Sequence, residues 1–394
     1  MISKKIKSIM ESGSAIRAMF EEGKRLADIY GKENVYDFSL GNPSVPAPKK
    51  INLAIEQIAK SEDPLTLHGY MSNSGYVCTR KAIADNLNKR FGCSYSENNI
   101  IMTVGAAGGI NVALKSIVNE GEEVVVIAPY FGEYNNYISN VGGRTVVVPP
   151  NPPTFQPNLK ALEEAVTCKT RAVIINTPNN PSGVVYSAQT LSKLSQILKK
   201  KSEQFSSVIY LISDEPYREL VYDGVQVPFV PDFYDNTIIA YSFSKSLSLP
   251  GERIGYLAIP NEADGYEELA AACGVSTRIL GFVNAPSLQQ LVIEKCIDEK
   301  TDVSAYDRNR ELLYSALSDY GFECVKPEGA FYMFVKSPIE ESEFVAKAKS
   351  YNLLIVGGKS FACEGYVRIA YCVSYDMIKA SLPAFKKLAQ EVLV

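Results

Sequence analysis

Tyr241-Ser242-Phe243-Ser244-Lys245-Ser246-Leu247-Ser248-Leu249-Pro250-Gly251-Glu252-Arg253-Ile254-Gly255-Tyr256 is the stretch from which the rest of the chain can be read. An apolar, β-prone run, Thr237 to Tyr241, ends in a serine-rich turn holding one lysine, and Arg253 stands just before a second β-prone run. That puts Lys245 at a strand end. In an open α/β sheet, ligands bind outside the carboxyl ends of the strands, so a lysine presented there by small residues faces a cleft. A free lysine amine titrates near ~10.4 and becomes a nucleophile or base only when desolvated or crowded by positive charge. Arg253 can supply that charge, and its planar fork also grips a phosphate. Lysine for a Schiff base and arginine for a phosphate together point to pyridoxal phosphate. A solvated lysine in a serine loop accounts for the same residues equally well.

Outward from this turn the chain repeats strand, turn, helix. Ile100 to Val104 runs into Gly105-Ala106-Ala107-Gly108-Gly109 and a helical pattern to Val118. Val124 to Ile127, Thr145 to Val148, Ala172 to Ile175 and Val208 to Ile212 follow, each ending in a polar or proline-rich turn. Short apolar strands without alternation, separated by helices, predict an α/β fold whose large domain is a mostly parallel sheet covered by helices on both faces. Ahead of it, Ser14 to Tyr30, Ile51 to Lys60 and Val77 to Phe91 have helical spacing, and the prolines of Phe38 to Pro48 forbid regular structure there. Behind it come helical patterns to Glu294 and from Tyr306 to Leu317, then strands Ala330 to Val335 and Tyr366 to Ala370, and a helix from Met377 to Val392. These build a smaller α+β domain from the N-terminal segment and the C-terminal third. With 394 residues the chain exceeds what one core usually holds. The expected division is 1–46 as N-terminal arm and part of the small domain, 47–288 as the large cofactor-binding domain, and 289–394 as the small C-terminal domain.

Composition narrows the chemistry. A formal net charge of -4 without long runs of one sign gives no reason to expect nucleic acid or an acidic membrane as partner. The eight cysteines are scattered with no C-x-x-C pair, so neither a metal site nor a disulfide framework is expected. No apolar run approaches the ~18 residues of a membrane span and no signal peptide opens the chain, so a cytoplasmic protein is expected. His68 is the one histidine, and no G-x-S-x-G or H-E-x-x-H accompanies it. Proton transfer must fall to Lys, Tyr, Asp or Glu.

Several residues at strand ends bear on a ligand, each with a plainer reading beside it. Backbone N–H groups of Ala106 and Ala107 open a helix and suit an anion, or the small residues simply allow close packing. Asp214, closing an apolar strand, would keep a pyridine nitrogen protonated, or cap a helix. Tyr217 and Asn180 offer a hydroxyl and an amide to a ring oxygen, and Phe131 a face to a flat ring; each also fits ordinary loop or core structure. Arg368 would clamp a carboxylate bidentately or pair with a neighbouring acid.

Their order along the chain resembles that of the class I and II aminotransferases, the aspartate-aminotransferase-like pyridoxal phosphate fold known as fold type I. The resemblance runs from about Val35 to the C-terminus. Its most specific part is Ser242-Phe243-Ser244-Lys245 with Arg253-Ile254-Gly255, followed by Asn180-Pro181-Ser182-Gly183, Asp214-Glu215-Pro216-Tyr217 and Tyr366-Val367-Arg368. It implies that Lys245 carries the cofactor as an internal aldimine, that Asp214 pairs with the pyridine nitrogen, that Asn180 and Tyr217 hold the ring oxygen, and that Phe131 stacks on the ring. The phosphate would rest on Ala106, Ala107, Ser242, Arg253 and, from a second subunit, Tyr70 in Tyr70-x-x-x-x-Gly75, which implies a homodimer with shared sites. Arg368, with Asn180 and the Gly41 backbone, would bind the substrate carboxylate.

The implied reaction is transamination between an L-amino acid and a 2-oxo acid by a ping-pong course, with Lys245 moving the proton. One branch of aspartate-using relatives carries a lysine where Ala107 stands, to bind the substrate's second carboxylate. That weakens aspartate as the expected substrate. A carbon–sulfur β-lyase on the same fold is the alternative, and a non-catalytic binding protein stands behind it.

Overall fold

The strand Glu123–Ile127 shows how the larger body is built. Val124 and Val126 pack with Ile110 and Leu114 of the helix Gly105–Ile117, whereas Val125 and Ile127 pack with Leu191 and Leu194 of the helix Ala188–Phe205. Alternate side chains of one strand enter two different cores, so helices cover the sheet on both faces. The computed structural model describes residues 2–13 and 15–393. Seven strands form this sheet, in the order Ile100–Thr103, Gly255–Ala258, Thr237–Ser242, Tyr210–Asp214, Thr170–Asn176, Glu123–Ile127, Arg144–Val148. All neighbours run parallel except Gly255–Ala258, which is antiparallel to both strands beside it. The expected mostly parallel sheet is present.

A smaller antiparallel sheet of four strands runs Val356–Gly357, Tyr366–Ala370, Tyr332–Lys336, Cys324–Val325. The N-terminal segment joins it. Tyr36–Asp37 pairs with Leu353–Leu354, Phe38 donates its N–H to the Leu354 carbonyl, and the Phe38 carbonyl accepts from Ala370. Phe38 lies in one core with Tyr306, Leu313, Phe331, Ile369 and Phe385. Anchoring Phe38 in this way fixes where the next three residues, Ser39 to Gly41, present their carbonyls.

Some elements differ from expectation. Helices Lys4–Ser12, Tyr266–Ile279 and Glu341–Ser350 have no counterpart in the periodicity reading. The first has Ile6, Ile9 and Met10 at helical spacing but over only nine residues, with Ile6 and Met10 exposed, and the second carries Gly274 and Thr277 in its interior, which blurs its apolar stripe. The helix expected from Ser14 runs Ala15–Tyr30, and Ser14 itself lies outside the described residues. Among the described residues no helix is long and apolar enough to cross a membrane.

Candidate active site

Strand Thr237–Ser242 ends at a single helical turn, Phe243–Ser246, that carries Lys245. Ser242 caps the turn by accepting from the Ser244 N–H at 3.2 Å and donates to Ser244 Oγ at 2.8 Å. The chain then loops out and returns as Gly255–Ala258, paired with the strand it left so that Ser242 faces Gly255. Arg253 sits at the foot of that return. Its backbone has φ 53°, a strained value for a non-glycine residue, and its guanidinium donates to the Pro250 carbonyl at 2.9 Å. The guanidinium lies against Gly105, where a β-carbon would meet Nη2 at 2.8 Å and where φ is 77°. Gly105 is therefore favoured by its conformation, and a side chain there would also push the guanidinium aside. Ala106 and Ala107, in the first turn of the helix that begins there, line the same cavity of about 270 Å³.

Lys245 Nζ donates to the Gly41 carbonyl at 2.7 Å. Burial pushes its pKa down to about 8, and the charges of Arg253 and Arg368 push the same way. A solvated lysine is excluded. Asp214 closes Tyr210–Asp214 and begins no helix, so the helix-cap reading fails as well. Its Oδ2 accepts from Tyr134 at 2.5 Å, while Oδ1 is buried with no partner among the described residues. Burial raises this carboxyl to about 7, against a lowering by Tyr134.

Arg368, 2% exposed, reads no acid. It donates from Nη1 to Asn180 Oδ1 at 3.0 Å and from Nη2 to the Ser39 carbonyl at 2.5 Å, and its Nε has no partner. Because Asn180 Oδ1 is taken by the arginine, its Nδ2 is left as the free donor. Tyr217 is buried with its hydroxyl 2.9 Å from that of Tyr332. Phe131 lines the cavity and meets Tyr134 edge-on at 5.8 Å.

The cavity thus gathers Lys245, Asp214, Tyr217, Asn180, Phe131, Ala106, Ala107, Ser242, Arg253, Arg368 and Gly41. It does not gather Tyr70, which is 92% exposed and lines no wall of this cavity. Tyr134, Tyr332 and Ser244 also line it and escaped the sequence reading, Tyr332 because it sits in an apolar run where aromatics ordinarily fill core, and Tyr134 because nothing in its polar surroundings, Glu133 and Asn135-Asn136, points its hydroxyl at a carboxylate. His68 is exposed and does not line the cavity. Among the described residues one acidic trio has metal-like spacing, Asp223, Asp307 and Glu311, and Arg310 and Lys326 pair with it.

A buried carboxylate oxygen without a donor costs stability unless a donor is supplied. A pyridine N–H supplies one to Asp214, and a phosphate suits the N–H groups, serines and arginine at the other end, so these residues fit pyridoxal phosphate. Residues 33–384 match the family model described as Aminotransferase class I and II. The chain belongs to that family. Members carry out transamination with pyridoxal phosphate, and this chain is an aminotransferase of that kind, moving an amino group between an amino acid and a 2-oxo acid. It is 30% identical to aromatic-amino-acid aminotransferase 2 of Thermococcus litoralis over 97% of each chain, and 30% identical to an aspartate aminotransferase of Pyrococcus abyssi over 94% of this aminotransferase and 96% of that one. A crystal structure of an amino transferase from Eubacterium rectale superposes with a TM-score of 0.97 at 49% identity, covering 100% of this chain and 99% of that one. The aspartate aminotransferase of Thermus thermophilus with maleate shares the fold at a TM-score of 0.86 and 24% identity, over 98% and 99% of the two chains. Nothing in these likenesses favours the β-lyase or the non-catalytic reading.

Proposed function

We propose that this aminotransferase holds pyridoxal phosphate through Lys245 and transfers amino groups from L-amino acids whose side chains are neutral. The observation that carries the cofactor assignment is the unpartnered Asp214 Oδ1, buried opposite the turn that presents the lysine. When bound, the cofactor supplies a pyridine ring that takes up the electron pair left at the substrate Cα once its proton is removed.

The chain's own groups do the rest. Asp214 Oδ1 would accept from the pyridine N–H, and Tyr134 holds the other oxygen so that the carboxylate cannot turn away. Tyr217 Oη and Asn180 Nδ2 would donate to the ring oxygen, and Phe131 would cover the ring face. Arg253, Ser242, Ser244 and the N–H groups of Ala106 and Ala107 would bind the phosphate. Lys245 would be the base: once its amine is neutral it can take the substrate Cα proton and give it back to the carbon on the far side of the nitrogen, two atoms away. With a pKa of about 8, it is neutral in a useful fraction near physiological pH. Arg368 receives the substrate α-carboxylate, with Gly41 beside it.

The cations lining the cavity, Lys245, Arg253 and Arg368, all have duties in this scheme, and Ile16, Leu40, Ala107 and Phe131 line the remainder. That supports neutral, apolar side chains over a second carboxylate. Arg253 and Tyr70 are exposed, which accords with a homodimer in which each Tyr70 reaches the other subunit's phosphate site. The eight cysteines are unpaired thiols, in keeping with a reducing cytoplasm. The test is a half-reaction panel: protein loaded with pyridoxal phosphate is mixed with single amino acids, and the visible absorbance and released oxo acid are followed. Phenylalanine, leucine or methionine should react faster than aspartate. Pyruvate and ammonia from a cysteine conjugate without any oxo-acid acceptor would overturn the assignment in favour of the lyase.

A further inference from the structure

Tyr332 has no duty in the scheme above, yet it touches both halves of it. It begins strand Tyr332–Lys336, whose antiparallel partner pairs Phe334 with Arg368. Side chains two positions apart share a face of a strand, so Tyr332 is the diagonal neighbour of Arg368. Its ring centre lies 4.5 Å from the guanidinium carbon, with the Phe361 ring 4.8 Å from the same carbon. The hydroxyl reaches the other way, out of the smaller body, to Tyr217 Oη at 2.9 Å. Room for it is made by Gly41, where a β-carbon would stand 1.9 Å from that hydroxyl. The same Gly41 gives its carbonyl to Lys245.

We infer that Tyr332 is a positioning residue that couples Arg368, the reader of the substrate carboxylate, to Tyr217, the holder of the cofactor's ring oxygen. This rests on the pyridoxal phosphate reading given above. Two hydroxyls in contact share one proton. If Tyr217 donates to the ring oxygen, its own oxygen is the acceptor for Tyr332. A phenol that accepts a hydrogen bond donates a stronger one, and a stronger donor favours the charged form of the oxygen it faces. Burial pushes Tyr332 up to about 12, so it stays a neutral donor throughout the working range. The ring, meanwhile, holds the plane of a desolvated guanidinium that has no carboxylate among the described residues to hold it.

Two variants separate these jobs from simple core filling, in which Tyr332 also takes part. Tyr332→Phe keeps the ring and loses the hydroxyl. In protein loaded with pyridoxal phosphate, the pH midpoint of the visible absorbance change should rise by roughly half a unit, the size of one neutral hydrogen bond lost at one remove. Affinity for maleate and 3-phenylpropanoate, carboxylates without an amino group, should stay within about twofold. Tyr332→Leu removes the aromatic face and should weaken those carboxylates roughly tenfold, as loss of a desolvated cation–π contact implies. In a Tyr217→Phe background, Tyr332→Phe should move the midpoint no further. A Tyr332→Phe midpoint coincident with wild type, or an undiminished shift without the Tyr217 hydroxyl, would overturn the coupling even if the Leu variant does not fold. Wild-type protein that gains no visible absorbance from pyridoxal phosphate would instead overturn the proposed function, before any variant is compared.

Discussion

Asp214→Asn offers the sharpest test of how the site is charged, because its effect on stability should reverse when the cofactor is added. In cofactor-free protein the carboxyl titrates at about 7 against an ordinary 3.8, raised by burial. For a group raised in the folded state, the stabilising contribution is complete below the ordinary value and is lost as pH climbs through the folded one. Between pH 5 and pH 8 the wild type should therefore lose about 3 kcal/mol relative to the asparagine variant, from two units of folded-state titration at ~1.4 kcal/mol each. Comparing melting temperatures of the stripped proteins at both pH values cancels every group the two share. The variant should gain several degrees on the wild type at the higher pH. Loading with pyridoxal phosphate gives Asp214 Oδ1 a cationic partner, so the order should invert, with the wild type the more stable and the variant nearly inactive. A variant advantage that is the same at pH 5 and pH 8 would refute the claim that this carboxylate is held charged against its surroundings.

Lys245→Ala should abolish turnover and the covalent labelling seen by mass spectrometry after borohydride treatment of loaded protein, while circular dichroism stays unchanged. Arg368→Lys should raise KM for amino acids by roughly 30- to 100-fold, since lysine cannot present two parallel donors, with a smaller change in the rate of the chemical step. Gly41→Ala should disable the enzyme although the backbone there needs no positive φ, because the added methyl collides with the Tyr332 hydroxyl; paired with Tyr332→Phe it should recover part of the loss. Ala107→Lys should improve aspartate relative to phenylalanine in the half-reaction panel by at least tenfold, by adding a cation where the cavity wall is apolar.

The site was legible where its chemistry is local in the chain. Lys245 and Arg253 stand on one strand-to-strand connection, Asp214 ends a strand whose apolar run announces it, and Asn180 lies in the proline-rich turn just past another, Thr170–Asn176. Tyr332 was not legible because a tyrosine inside an apolar run reads as core until the strand register places it, and Tyr134, among Glu133 and Asn135-Asn136, reads as ordinary helix surface until the carboxylate across the cavity assigns its hydroxyl. Strand direction was invisible for the same kind of reason: nothing in Gly255–Ala258 tells it to run against its neighbours, and only its short return from Ser242 requires it. Ala-rich Tyr266–Ile279 lacks the stripe that periodicity detects, and the stripe of Lys4–Ser12 (Ile6, Ile9, Met10) is too short to stand out.

That short return acts as a ruler. Because Ser242 and Gly255 are locked as a pair, the span from Lys245 to Arg253 is set by the loop between them rather than by any movement of domains. A residue inserted there would change the length of ligand that can be tied at both ends, before it changed how well either end binds.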